Sequence, residues 1–308
     1  MTPPVLTPRQ AFAAIRSMKI RGAASIGLNA ARSLAEHVQG LQGTPAQVWQ
    51  RTLTAARLLD SARPTAVSLH NCLGWILAGV KPEATVAGQK RAARETERLV
   101  ADEVKTSREA IARHGARHVK DGDVVLTHCN SSTVVAILRE AKNEGRVVEV
   151  IATETRPFRQ GIITVTALRT AGLECALVVD SAVDHVLSTR DVDLVLVGAD
   201  AVTADGSLYN KIGTAGVAAL AGLHDVPFYA AAGLHKFSVK REVPIEHRSA
   251  KEIIKPGEVP RGVRVLNPVF DRTPPNRIDG YVTERGLESP AKAVQRNLRT
   301  LPPEGVWA

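Results

Sequence analysis

The sequence predicts an α/β protein with a helical N-terminal domain followed by a doubly wound, mostly parallel sheet. Three observations carry this. Up to residue 118, apolar residues recur at helical spacing behind repeated helix-start signals. At Lys120-Asp121-Gly122-Asp123 that pattern stops. Beyond it, short apolar runs alternate with helical stretches, the arrangement of parallel β–α units. The division is therefore set at 1–118 and 119–308.

Thr7-Pro8-Arg9-Gln10 has the form of a capping box with Pro at the first helical position, and predicts a helix to about Met18. Lys19-Ile20-Arg21-Gly22-Ala23-Ala24-Ser25 breaks it: Gly22 permits a left-handed turn, and Arg21 beside small residues either clamps an anion or lies solvated in a helix–helix turn. Thr44-Pro45-Ala46-Gln47 repeats the capping signal and starts a helix to about Asp60. Ser61-Ala62-Arg63-Pro64-Thr65 interrupts the chain before a helix over 66–77, whose entry Pro64 suits. Residues 83–118 read as a long, charged, amphipathic helix with an interruption near His114-Gly115.

Residues 124–126 are apolar and rich in Val, the pattern of a strand buried on both faces. Further strands are expected at 147–152, 176–179, 194–197 and 227–231, and one more at 278–282 after a Pro-rich loop. No Gly-x-Gly-x-x-Gly follows the first strand, so the dinucleotide fingerprint is absent.

The 308 residues suffice for two domains, and hydrophobic and charged fractions of 44% and 23% are those of an ordinary globular protein. An aromatic share of 4% argues against stacking platforms for single-stranded nucleic acid. The net charge of +9 comes from dispersed Lys and Arg, which fits a small anionic substrate better than a nucleic acid. Cysteines 72, 129 and 175 have no metal-ligand spacing and leave an odd thiol, so a reducing cytoplasm is expected and no metal. The start carries no apolar signal segment, and no run approaches membrane-spanning length.

Each core strand ends in polar chemistry: His128-Cys129, then Thr153-Glu154-Thr155-Arg156-Pro157, Asp180-Ser181, Gly198-Ala199-Asp200, and Gly233 with His235 and Lys236. In an open α/β sheet such ends converge on one ligand crevice. A free cysteine is often only a small buried hydrophobe, and Cys72 and Cys175 read that way. Cys129 differs, because a helix start and nearby cations favour its thiolate. Asp200 ends an apolar strand, either as a cap or salt-bridge partner or as a carboxyl group that shuttles a proton. His128 is read equally as an orienting group or a weaker catalytic candidate. Ser131, Ser132 and Thr133 open one helix, and Asn210-Lys211-Ile212-Gly213-Thr214 opens another, giving two anion sites and suggesting two phosphates on one substrate.

These residues also carry a resemblance. Ile-Arg-Gly-Ala-Ala (20–24), Ala-Arg-Pro-Thr-Ala-Val (62–67), Thr-His-Cys-Asn (127–130), Thr-Glu-Thr-Arg-Pro with Gln160-Gly161, Val-Val-Asp (178–180), Gly-Ala-Asp (198–200), Asn-Lys-Ile-Gly-Thr (210–214) and Asn-Pro-Val-Phe-Asp with Thr273-Pro274 span nearly the whole chain. In them the sequence resembles the isomerase branch of the eIF2B α/β/δ-like superfamily. The resemblance implies a helical domain before a Rossmann-like domain, aldose-to-ketose isomerisation of a ribose 1-phosphate, no cofactor, and a homo-oligomer, either a dimer or a hexamer of dimers. It makes Cys129 and Asp200 the catalytic pair, which translation-factor relatives lack. Substrate binding is expected of Arg21, Gly22, Ala23, Ala24, Arg63, Ser131, Ser132, Thr133, Gln160, Asn210, Lys211 and Lys236, with all but Gln160 and Asn210 holding the two phosphates.

Within that branch, Ser131-Ser132-Thr133 stands where enzymes acting on methylthioribose 1-phosphate resemble Ala-Gly-Ala, and Lys236 stands in His-Lys-Phe where those resemble Ser-Thr-Phe. An N-terminal extension like theirs is not expected here. The expected substrate is therefore ribose 1,5-bisphosphate, converted to ribulose 1,5-bisphosphate in nucleotide salvage. The 63–67 stretch is equally at home with methylthioribose 1-phosphate, and a non-catalytic regulatory subunit is the alternative of another class.

Overall fold

The computed structural model describes residues 5–308. The chain forms two compact units. The first takes the residues up to Thr106 together with Leu234–Ser238 and Asn297–Ala308, and the second takes Ser107–Gly233 and Val239–Arg296. The 118/119 boundary expected from sequence marks the change from helices to strands; the compact units divide earlier, inside a helix.

The first unit is helical: α1 (Pro8–Arg16), α2 (Ala23–Gly40), α3 (Pro45–Asp60), α4 (Val67–Val80) and the beginning of α5 (Val86–Ala116). Both capping boxes form. Thr7 N donates to Gln10 Oε1 at 2.9 Å and Gln10 N to Thr7 Oγ1 at 3.4 Å, and Thr44 and Gln47 repeat the exchange at 2.9 and 3.3 Å. Gly22 caps α2 at φ +88°, a conformation open to glycine and strained for other residues. Gly27 lets α2 lie against α4, since a Cβ there would stand 2.7 Å from Cys72 Sγ and 2.9 Å from Ser68 O. The C-terminal residues close this core. Val306 is buried in it, Trp307 stacks on His70 at 4.5 Å, and Arg57 donates to Trp307 O at 2.6 Å.

The second unit holds β1 (Val124–Thr127), α6 (Ser132–Asn143), β2 (Glu149–Thr153), α7 (Gln160–Thr170), β3 (Glu174–Val178), α8 (Val183–Thr189), β4 (Leu194–Gly198), β5 (Ala201–Val202), β6 (Leu208–Lys211), α9 (Thr214–Leu223), β7 (Phe228–Ala231), β8 (Phe270–Thr273), β9 (Gly280–Thr283), β10 (Gly286–Glu288) and α10 (Pro290–Asn297). Seven strands form a sheet in the order β10-β9-β7-β4-β1-β2-β3, parallel except for β10. The doubly wound expectation holds, and all six expected strands are present within a few residues of their expected limits. β1 lies between β2 and β4, in register Val125 with Val150 and with Leu194. The strand order reverses there, which is where such sheets bind ligands. Val125, Leu126, Val195 and Leu196 are at most 1% exposed, as strands covered on both faces require.

Three features depart from the sequence reading. A second, antiparallel sheet joins β5, β6 and β8, so Asn210 and Lys211 end a strand and do not open a helix. The last segment adds β10 and α10 after the final expected strand. And α5 runs unbroken through His114-Gly115. A Cβ at Gly115 would lie 2.7 Å from both Cγ1 and Cδ1 of Ile137, so this glycine admits α6 and does not break α5. Among the described residues no helix is long and apolar enough to cross a membrane.

Gly115→Ala therefore tests packing against propensity. Alanine favours a helix by up to about 1 kcal/mol over glycine, but overpacking against a fully buried, β-branched Ile137 costs roughly 1–3 kcal/mol. A lower denaturation midpoint is expected, and in an Ile137→Ala background, which removes all three contacting carbons, Gly115→Ala should no longer lower it. A higher midpoint for the single variant would mean that the contact yields.

Candidate active site

Cys129 follows β1 and Asp200 follows β4, the two paired strands at the reversal of strand order. Cys129 adopts φ +70°, rare for a residue with a side chain. The residue is half-buried. Burial pushes its thiol up to about 12, and the negative charges of Asp200 and Asp180 add to that, while Lys211 and a backbone N–H bond act the other way. The expectation of a resting thiolate is thus corrected. Lys211 does favour the anion, but withdrawal from water outweighs it, and the free protein carries a neutral thiol.

His128, 2% exposed, is spoken for at both ring nitrogens. Nδ1 lies 2.6 Å from Thr153 Oγ1 and Nε2 2.9 Å from Ile212 O. A carbonyl can only accept, so Nε2 carries the hydrogen and Nδ1 accepts from the threonine hydroxyl. Burial lowers its pKa, which keeps the ring neutral. Gly213 makes room for it, since a Cβ there would stand 3.0 Å from Cε1. Of the two readings of His128, the geometry selects the orienting one.

The two helix starts differ from expectation. At α6, Ser131 Oγ accepts from Val134 N at 3.3 Å and acts as the cap. It sits over the end of β4, where a Cβ on Gly198 would fall 2.6 Å from Ser131 Oγ. Ser132 and Thr133 occupy the first turn. At α9 two of the donors are already taken. Asp271, on β8, accepts through Oδ2 from Gly213 N at 2.7 Å and Ala215 N at 3.2 Å. An internal carboxylate therefore shares this helix start with whatever anion Lys211 faces. Asn210 Nδ2 donates to Thr214 Oγ1 at 3.1 Å, and Lys211 Nζ lies 5.2 Å from the Phe270 ring. Gln160 opens α7 beside Gly161, where a Cβ would lie 1.8 Å from Thr153 O, so the helix start meets the end of β2 with no room for a side chain.

Thus the structure gathers Cys129, Asp200, Ser131, Ser132, Thr133, Gln160, Asn210 and Lys211 in the second unit. Arg21, Gly22, Ala23, Ala24, Arg63 and Lys236 belong to the first. Arg21 and Gly22 are exposed at the start of α2, and Arg63 lies half-buried in the turn before α4. Lys236 is 7% exposed, in a short turn whose carbonyls at His235 and Phe237 accept from Asn71 Nδ2 at 3.1 and 2.7 Å. Sequence reading overlooked Asn71 and Asp271. Asp271 ends the Asn-Pro-Val-Phe-Asp stretch, which was the available signal; Asn71 lies within an apolar helix and gives none. Among the described residues no cluster of His, Cys, Asp or Glu is able to hold a metal ion.

The profile of the Initiation factor 2 subunit family matches residues 19–290. The sequence is 37% identical to a ribose 1,5-bisphosphate isomerase of Methanocaldococcus jannaschii, over 97% of this chain and 92% of that protein. It is 42% identical to a methylthioribose-1-phosphate isomerase of Gemmatimonas aurantiaca, over 90% and 83%. Its structure resembles the crystal structure of 5-methylthioribose 1-phosphate isomerase from Pyrococcus horikoshii, with a TM-score of 0.79 and 31% identity over 95% of this chain and 86% of that one.

Asp271 supplies a pH test. Burial raises its pKa from 3.8 to about 6, and its Oδ1 is buried without a partner. A carboxyl group whose pKa is raised by folding binds its proton more tightly in the folded state. Its contribution to stability is greatest below about pH 4 and is lost as pH rises through about 6. Asp271→Asn should therefore gain stability relative to the parent as pH rises from about 4 to about 7, on the order of 1–3 kcal/mol in denaturant titrations. A stability difference that stays constant over that range would refute the assignment.

Proposed function

The chain belongs to the Initiation factor 2 subunit family, and we propose that it is an aldose–ketose isomerase converting α-D-ribose 1,5-bisphosphate to D-ribulose 1,5-bisphosphate. The observation that carries this is the pairing of β1 with β4, which sets Cys129 and Asp200 at adjacent strand ends. Lys211, near enough to act on the Cys129 thiol, and the hydroxyls opening α6 support a phosphorylated ligand. The relatives named for ribose 1,5-bisphosphate support the substrate. Cytoplasmic location and homo-oligomeric assembly are part of the proposal, and sedimentation of the purified protein tests the latter.

The anomeric phosphate prevents spontaneous ring opening, so the enzyme must break the C1–O4 bond. Cys129, as thiolate, removes the C2 proton. The C–H electron pair forms a C1=C2 double bond, the C1–O4 bond breaks, and O4 takes a proton from the Asp200 carboxyl group. The C2 hydroxyl of the resulting enol returns its proton to Asp200, the Cys129 thiol delivers its proton to C1, and the ketose leaves with the pair reset. One proton is shared between the two residues. At rest it lies on sulfur, so the reactive form arises when it passes to Asp200. Proton transfers of this kind contribute roughly 10²–10⁴-fold each.

Cys129→Ser should bind substrate and fold normally but lose nearly all turnover, and Asp200→Asn should lower kcat steeply with little change in KM. Wild-type kcat in Cys129→Ser would refute the mechanism, and a rise in KM alone for Asp200→Asn would make Asp200 a binding residue.

A second reading, an isomerase of methylthioribose 1-phosphate, is favoured by the relative at 42% identity. Lys236 separates the two. A charge-assisted hydrogen bond contributes about 1.5–3 kcal/mol. Lys236→Ala should accordingly reduce kcat/KM for ribose 1,5-bisphosphate by about tenfold to a hundredfold, and leave a weaker activity on methylthioribose 1-phosphate little changed. A parent enzyme that prefers the monophosphate, or equal losses on both substrates, would transfer the assignment to the second reading.

A further inference from the structure

Cys129 holds a left-handed backbone, φ +70°, with no glycine to ease it, and both sides of the residue are tied. Its N–H donates to Thr155 Oγ1 at 2.9 Å. Its C=O accepts from Thr164 Oγ1, also at 2.9 Å, a hydroxyl that lies 3.1 Å from Asn130 Oδ1. Thr155 is fully buried and itself left-handed, at φ +61°. It is anchored from β3's end: Asp180 Oδ1 accepts from Thr155 N and Oδ2 from Arg156 N, both at 2.7 Å.

His128 sets the direction of the hydrogens in this network. Ile212 O fixes the hydrogen of His128 on Nε2, so Thr153 Oγ1 must donate to Nδ1. The Thr155 hydroxyl hydrogen then points to Thr153, whose Oγ1 and O each lie 3.3 Å away, and either acceptor leaves the Thr155 oxygen to accept from Cys129 N. Every member has a partner of the right polarity. Such a chain at a buried turn restricts the backbone to one conformation.

We propose that Thr155 is a positioning residue for the isomerisation: its hydroxyl, oriented through Thr153 and His128 and anchored by Asp180, holds the Cys129 peptide in the left-handed turn that keeps the thiol beside Lys211 and Asp200. Thr164 holds the other side of the same residue. This rests on the reading of Cys129 as the base, so the test includes a measurement that needs no substrate.

Thr155→Val keeps shape and removes the acceptor, and Thr155→Ser keeps the acceptor. Misplacement of a reacting group by about 1 Å costs on the order of 10²-fold, so Thr155→Val should lose about a hundredfold in kcat with KM within about twofold. Thr155→Ser should restore kcat to within a few-fold of the parent. In parallel, iodoacetamide labelling of Cys129 in the free protein, read by peptide mass spectrometry, should rise with pH without a plateau up to about pH 10 in the parent and in Thr155→Ser. In Thr155→Val the released thiol should label faster at pH 8 and show an inflection near the ordinary thiol value of about 8.5. Loss of thermal stability with parental kcat and a parental labelling profile would overturn the proposal. Should Thr155→Val not fold, Thr164→Val is judged by the same two measurements. If labelling changes as expected while Cys129→Ser remains active, the clamp stands and the catalytic reading of Cys129 falls.

Discussion

The parallel pairing of β1 with β4 is the constraint on which the second unit depends. Register between two strands buried on both faces is not adjustable, because a slip of one residue would turn every side chain to the opposite face. Once Val125 lies opposite Leu194, the chain leaving each strand emerges at the same edge of the sheet. Their exits carry a thiol and a carboxyl group separated by some seventy residues of sequence. His128 then joins three segments through one neutral ring, tying the exit of β1 to the end of β2 and to the loop before α9. It works as a buried crosspiece, and needs no charge to do so.

The electrostatics of this region are set more by exclusion of water than by the nearest charge. Lys211 draws the Cys129 thiol toward ionisation, yet burial prevails. Asp271 shows the same ordering: two N–H donors favour its anion, and burial still raises its pKa. Both groups have pKa values displaced upward by burial, a pattern that accompanies proton-transfer sites more often than purely structural ones.

What was legible in the sequence was local. The two capping boxes are complete within four residues, so they could be read directly. The core strands are short continuous apolar runs, and their polar ends needed only the strand-end rule to be gathered. What escaped depends on partners distant in the chain. β6 is four residues long and exists because β8, about sixty positions later, pairs with it. Gly115 looks like a helix break until Ile137 is placed against it. The start of α9 looks like a vacant anion site until Asp271 arrives from β8 to take two of its donors. The thiolate expected at Cys129 failed for a related reason, since helix starts and cations can be counted along a sequence while depth from solvent cannot.

Asn71 has a consequence for how substrate preference could change. Its single amide nitrogen grips the carbonyls on either side of Lys236, so this hold on the turn runs through main-chain acceptors. Nothing in that grip refers to the side chain at position 236. The position resembles a fitting in a socket, with this part of the mount independent of the fitting. On the proposed reading of Lys236 as a phosphate ligand, a change of side chain there to suit a differently charged sugar phosphate would leave both of these anchoring bonds in place.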